Sequence, residues 1–279
     1  MAVFLLVVLS ACSSGEKDED KGNDKTITFG VTPWTSTIPP TKIASLILQD
    51  MGYKVEEVKA DAGNIFIGLS RGDIDVLMDS WLPAHDILLE KYADDIEDTA
   101  ISYDDVETGI VVPTYMKDFN NVEDLKGKED MFNGEMFGIE EGAGVTGIIN
   151  DMLEDYDLDI KQVNSSEGAM LAQAQRLMES ESPVAFYGWR PHTMFNKFDL
   201  KVLKDENDHF ESSSVHVITN NKLNEKASDV HQFLSNWSIS IDDVEEMIVK
   251  IEEDGEDPEV LAREWIDNNQ DKVKEMMGE

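Results

Sequence analysis

The run from Thr26 to Trp81, TITFGVTPWTSTIPPTKIASLILQDMGYKVEEVKADAGNIFIGLSRGDIDVLMDSW, decides the fold. Thr26 to Thr32 is β-rich, and in Thr41 to Met51 the apolar residues Ile43, Leu46, Ile47 and Met51 recur at helical spacing until Gly52 stops them. Lys54 to Val58 reads as a second strand, Asn64 to Ser70 as a short helix and Val76 to Trp81 as a third strand. A strand-helix-strand-helix-strand order implies a parallel sheet with helices on its faces.

Outward from that unit, a similar alternation restarts near Gly138-Ile139, with helices expected at Gly144 to Leu153 and Gly168 to Glu179 and a strand at Val184 to Tyr187. Two β-rich stretches, Thr108 to Tyr115 and Ser213 to Thr219, flank this second unit as the two hinge crossings of a bilobed protein. Helices around Ala227 to Trp237, Asp242 to Glu253 and Pro258 to Met277 then complete the first lobe; Val260, Leu261 and Trp265 show its core spacing. The expected division is 26–108 plus 214–279 for lobe I and 109–213 for lobe II. A chain of 279 residues with 41% apolar content is sufficient for two such cores. No internal repeat is visible in the sequence.

The N-terminus reads differently. Ala2 to Leu9 is apolar but too short to span ~30 Å of hydrocarbon, and it ends at Leu9-Ser10-Ala11-Cys12. This is a lipobox pattern: residues 1–11 are expected to be a signal peptide and Cys12, the sole cysteine, the lipidated residue. No Lys or Arg lies between Met1 and the apolar run, so the expected start lies upstream. Residues 12–25, polar and rich in small and charged side chains, are expected to form a flexible tether. No second apolar run of ~18 residues follows.

With 59 acidic and 23 basic residues the formal charge is −36, which excludes generic nucleic-acid binding. Such a surface repels itself at low salt and is relieved by screening, which points to a saline habitat. Neither a disulfide framework nor a cysteine metal cluster is possible. The five histidines, His85, His192, His209, His216 and His231, show no paired metal-ligand spacing, and no H-E-x-x-H or G-x-S-x-G is present. Neither an enzyme nor a metal or cofactor site is expected.

Three of the five tryptophans stand at the carboxyl ends of expected strands beside turn formers: Trp34 in GVTPWT, Trp81 in DSWLP and Trp189 in YGWRPH. In open α/β sheets that edge faces the ligand crevice. Trp237 and Trp265 lie in amphipathic helices and read as core. Several indole faces around one space suit a cation that donates no hydrogen bonds, each contributing roughly 0.5–2 kcal/mol once water is excluded, without a formal counter-charge. The run Glu141 to Gly147, EGAGVTG, leads from a strand into an apolar helix whose first N–H groups suit a carboxylate.

These segments, with Ser165 to Leu171 (SSEGAML) and WRPH followed by Met194-Phe195, give the chain its likeness to a family. Over nearly the whole mature length it resembles the glycine betaine and proline betaine substrate-binding proteins of ABC transporters, which share the bilobed α/β type II periplasmic-binding-protein fold, two lobes joined by two hinge strands. The resemblance implies a prism of Trp34, Trp81 and Trp189 around a quaternary ammonium. It also implies backbone amides of Gly144 and Val145 on the ligand carboxylate, with His85 assisting. His192 is a candidate for a structural hydrogen bond. The implied partners are a betaine, an ABC permease and its ATPase, and the membrane through a lipid anchor on its outer face. Choline, carnitine or a sensing role on the same fold is the alternative; choline has no carboxylate to use the amide site.

Overall fold

The computed structural model describes residues 25–210 and 213–279. The opening unit runs β1 (Thr26–Val31), α1 (Ile38–Asp50), β2 (Lys54–Lys59), α2 (Ala62–Arg71) and β3 (Val76–Leu82). There follow α3 (Asp86–Lys91), β4 (Ile96–Val106) and β5 (Thr108–Pro113). The second unit holds β6 (Glu135–Gly138), α4 (Gly144–Asp155), β7 (Lys161–Asn164), α5 (Glu167–Met178), β8 (Phe186–Trp189), α6 (Met194–Lys197) and β9 (Leu200–Val202). The chain returns through β10 (Ser213–Asn220) to α7 (Leu223–Lys226), α8 (Ser228–Ser235), α9 (Ile241–Val249), α10 (Pro258–Asn268) and α11 (Gln270–Met277).

Local chemistry explains these limits. Helix α1 starts ahead of its apolar periodicity because Pro39 and Pro40 occupy its first turn, where no intrahelical N–H is required. Asp61 caps α2 by accepting from the Asn64 N–H at 2.9 Å, and Gly72 ends it at φ 77°, a left-handed position suited to glycine. The expected helix over Pro258 to Met277 is two helices, broken at Asn269, and α9 gives way at Lys250–Asp254 to a π-helical turn closed by Gly255.

The strands form two five-stranded sheets, ordered β2-β1-β3-β10-β4 and β7-β6-β8-β5-β9. In each, three parallel strands are followed by one antiparallel strand that arrives from the other sheet's part of the chain: β10 in the first, β5 in the second. Central β3 is buried on both faces, whereas edge strand β2 is largely exposed. Phe29, Ile27, Ile43 and Leu48 are fully buried between the first sheet and α1 and its neighbours, each contributing about 1.5–3 kcal/mol by leaving water. The parallel strands of both sheets direct their carboxyl ends toward one cleft, which fixes where a ligand can be met.

Candidate functional site

Trp34 lies in the turn after β1, Trp81 is the penultimate residue of β3, and His85 is the N-cap of α3. From the second lobe, Gly144 and Val145 open α4 after the turn that follows β6, and Trp189 ends β8. All six line one cavity, with Ala84, Ile139, Ala143 and Tyr187. The three indoles are buried, 6%, 7% and 3% exposed for Trp34, Trp81 and Trp189.

Tyr187 stacks on Trp189 with centroids 5.3 Å apart, as two residues on one face of a strand do. Its hydroxyl, pushed up in pKa by burial, stays neutral. Trp34 stacks on His85 at 5.9 Å, and Phe66 packs edge-on against the same imidazole at 5.5 Å. Burial lowers the His85 pKa to about 4, so the ring is neutral at physiological pH. Its Nδ1 accepts the Trp81 backbone N–H at 3.2 Å; a peptide nitrogen can only donate, so the ring proton sits on Nε2. The Cδ2 edge beside Nε2 adjoins Gly144, where an added Cβ would be 3.2 Å from it. One neutral N–H donor therefore stands next to the start of α4.

That helix start is uncapped. Ala143 occupies the N-cap and offers no side-chain acceptor, and Ala143, Gly144 and Val145 all line the cavity at the positive end of the helix dipole. Glycine at 144 is required by the closeness of the lobes: a Cβ there would lie 1.9 Å from the Ala84 carbonyl oxygen.

Other contacts bind the lobes across the cleft. Trp34 Nε1–H donates to Glu140 Oε1 at 2.8 Å. Thr35 donates to Glu167 twice, from its N–H at 3.2 Å and its hydroxyl at 3.1 Å. Within the second lobe, His192 Nδ1 accepts from the Met194 N–H, leaving Nε2–H to donate to Glu167 at 3.1 Å. On the rim, Thr193 and Lys197 both reach Glu252. His192 thus has the structural hydrogen bonds expected of it. Asp79, Glu140, Glu167 and Tyr187 carried no site expectation, because their roles depend on which strand ends face each other.

Cys12 lies outside the described residues. Among the described residues no helix is long and apolar enough to cross a membrane, and no group of three His, Cys, Asp or Glu could hold a metal ion.

The OpuAC family model, described as the substrate binding domain of ABC-type glycine betaine transport systems, matches residues 25–268. The chain belongs to this family. Its fold is accordingly the type II periplasmic-binding-protein fold. The structure of lactococcal OpuAC in its closed-liganded conformation with glycine betaine superposes with a TM-score of 0.85 at 28% identity, over 91% of this chain and 100% of that one. A choline-binding protein of an ABC transporter, in complex with choline, gives the same TM-score and identity over 91% of both chains. The glycine betaine/carnitine transport binding protein GbuC of Listeria monocytogenes is 36% identical over 148 residues, 52% of this chain and 49% of that protein. The aligned part thus spans about half the length of that curated relative.

Proposed function

We propose that this OpuAC-family chain is the extracytoplasmic substrate-binding protein of an ABC importer, capturing glycine betaine or proline betaine between its lobes for osmoprotection. The observation that carries the reading is one cavity lined by Trp34 and Trp81 from one lobe and Trp189 from the other, with His85 and the α4 start at its edge. The indole faces hold the quaternary ammonium; the Gly144 and Val145 N–H groups and His85 Nε2–H hold the carboxylate. Closure excludes water and so strengthens both sets of contacts. The closed form is read by a membrane permease coupled to an ATPase, and acyl chains on Cys12 tether the protein to the outer face of the membrane.

Isothermal titration with glycine betaine and with choline, alongside tryptophan fluorescence, tests this. The expected result is micromolar or tighter betaine binding with a fluorescence change, and much weaker choline binding for want of a carboxylate. Equal or tighter choline binding would remove the carboxylate site from the mechanism, and unchanged betaine affinity in Trp189→Ala would remove the cage shared between lobes. The anchor has its own check: Cys12→Ser should release the protein from the membrane fraction.

A further inference from the structure

Two carboxylates stand directly behind the cage, one in each lobe. Asp79, two residues before Trp81 on β3 and fully buried, accepts Trp81 Nε1–H at 3.1 Å. Glu140, half-buried on the turn after β6, accepts Trp34 Nε1–H. Asp79 is otherwise ringed by neutral donors: Ser36 Oγ at 2.9 Å and Thr32 Oγ1 at 3.5 Å from beyond β1, and Tyr103 Oη at 3.5 Å from β4. The charged groups that bear on the two are themselves acidic, Glu167 from α5 on both and Asp61 on Glu140. The neighbouring His85 is neutral. A carboxylate withdrawn from water without a cation is costly, and here the space beside two of them is an aromatic box with no Lys or Arg in its lining.

We propose that Asp79 and Glu140 are the counter-charges of the bound quaternary ammonium, acting through the indole N–H groups, and that they make the cage prefer a cation to an uncharged group of the same shape. Each anion draws the N–H proton, deepens the negative potential on the ring faces and adds its own field in a site that water does not screen. The inference rests on the betaine reading and extends it, since indoles alone would also accept an apolar group. Burial raises the Asp79 pKa to about 7 and raises that of Glu140, so both lose charge on acidification before His85 gains one. Tyr103, raised by burial and by Asp79, stays protonated throughout.

The probes are glycine betaine and 3,3-dimethylbutanoate, in which a carbon replaces the nitrogen, titrated into the wild-type protein, Asp79→Asn and Glu140→Gln. Both substitutions keep a hydrogen-bond acceptor and remove the charge. At about pH 8, each should lower the ratio of betaine to analogue affinity roughly ten-fold, for Asp79→Asn in low and high salt alike, because a fully buried charge escapes the screening that surface acids undergo. In wild type that ratio should fall as pH drops from about 8 to about 6, through the Asp79 pKa of about 7, and the fall should be much smaller in Asp79→Asn. Equal weakening of both probes would reduce the carboxylates to ring positioners and overturn the inference, as would a wild-type ratio that ignores pH. The pH arm needs no substitution, so a variant that folds poorly does not shelter the idea. Wild-type protein that binds no betaine would sink the functional reading and this inference together, whereas betaine binding with an unaltered ratio sinks the inference alone.

Discussion

At Gly144 the start of α4 packs directly against the Ala84 carbonyl of the other lobe, and the missing side chain permits that contact. Alanine at the first position of α4 would favour the helix by up to about 1 kcal/mol in isolation, so Gly144→Ala is not expected to lower the melting temperature of the unliganded protein. It should nevertheless weaken betaine binding by at least about ten-fold, because the Cβ meets the Ala84 carbonyl at 1.9 Å. Thermal melts and titration calorimetry on one sample separate the two effects. Asp79 gives a second contrast. Its pKa rises from 3.8 to about 7 on folding, so the folded state binds the proton more tightly; this favours folding at low pH and is lost as pH climbs from about 4 to about 7. His85, lowered from 6.5 to about 4, acts in the opposite sense, its contribution lost as pH falls through that range. The Asp79→Asn variant isolates the first: relative to it, the unliganded wild type should lose stability between pH about 4 and about 7 in thermal melts. A difference in melting temperature that does not change with pH would mean that Asp79 keeps one protonation state throughout.

At the scale of elements, β1 to β3 with their two helices were legible because each step carries its own local pattern: apolar alternation, helical spacing and a Gly or Asx stop. Strand β4 was not. Four of its eleven residues are Asp or Glu, a composition that disfavours strands, yet it is an edge strand, where charges guard against further pairing. Strand β9, three residues long, is too short for any period. The tryptophans that line the cavity were legible because strand-end position and turn neighbours are written locally. Tyr187 sits on the strand face it shares with Trp189, but Glu140 and Glu167 gain meaning only when α5 and the β6 turn meet the turn after β1. Helix α5 makes the latch: Ser166 caps it, accepting from the Ala169 N–H, and Glu167 in its first turn receives Thr35 and His192. Glu167→Ala should speed betaine release several-fold with little change in association rate in stopped-flow fluorescence, since the latch forms after encounter. A slower association with unchanged release would place Glu167 in the encounter instead.

Across the whole molecule, the two sheets repeat one topology, and equivalent places do equivalent work. The turn after the first parallel strand supplies Trp34 in one lobe and the Gly144 start in the other; the end of the third supplies Trp81 and Trp189. Each of these last two is followed by a cis-prolyl bond, Leu82–Pro83 and Arg190–Pro191, and a buried histidine. No repeat shows in sequence because topology is conserved by backbone pairing while side chains follow each lobe's task. Betaine should reduce the radius of gyration in small-angle scattering, and Gly144→Ala should blunt the change. With a net charge of −36, the unliganded protein should melt higher as salt is raised; a flat salt profile would mean the surface charges are already balanced locally.

The exchange of strands between lobes also sets an order of events during synthesis. Strand β10 lies between β3 and β4 yet follows both by more than a hundred residues, whereas every strand of the second sheet falls within residues 108–202. As the chain emerges, β3 waits with one buried-type edge unpaired until Ser213–Asn220 arrives, an invitation to association with other nascent chains. The second lobe has all its strands by then. It is therefore the part that assembles first, and the lobe that begins the polypeptide is the last to be finished.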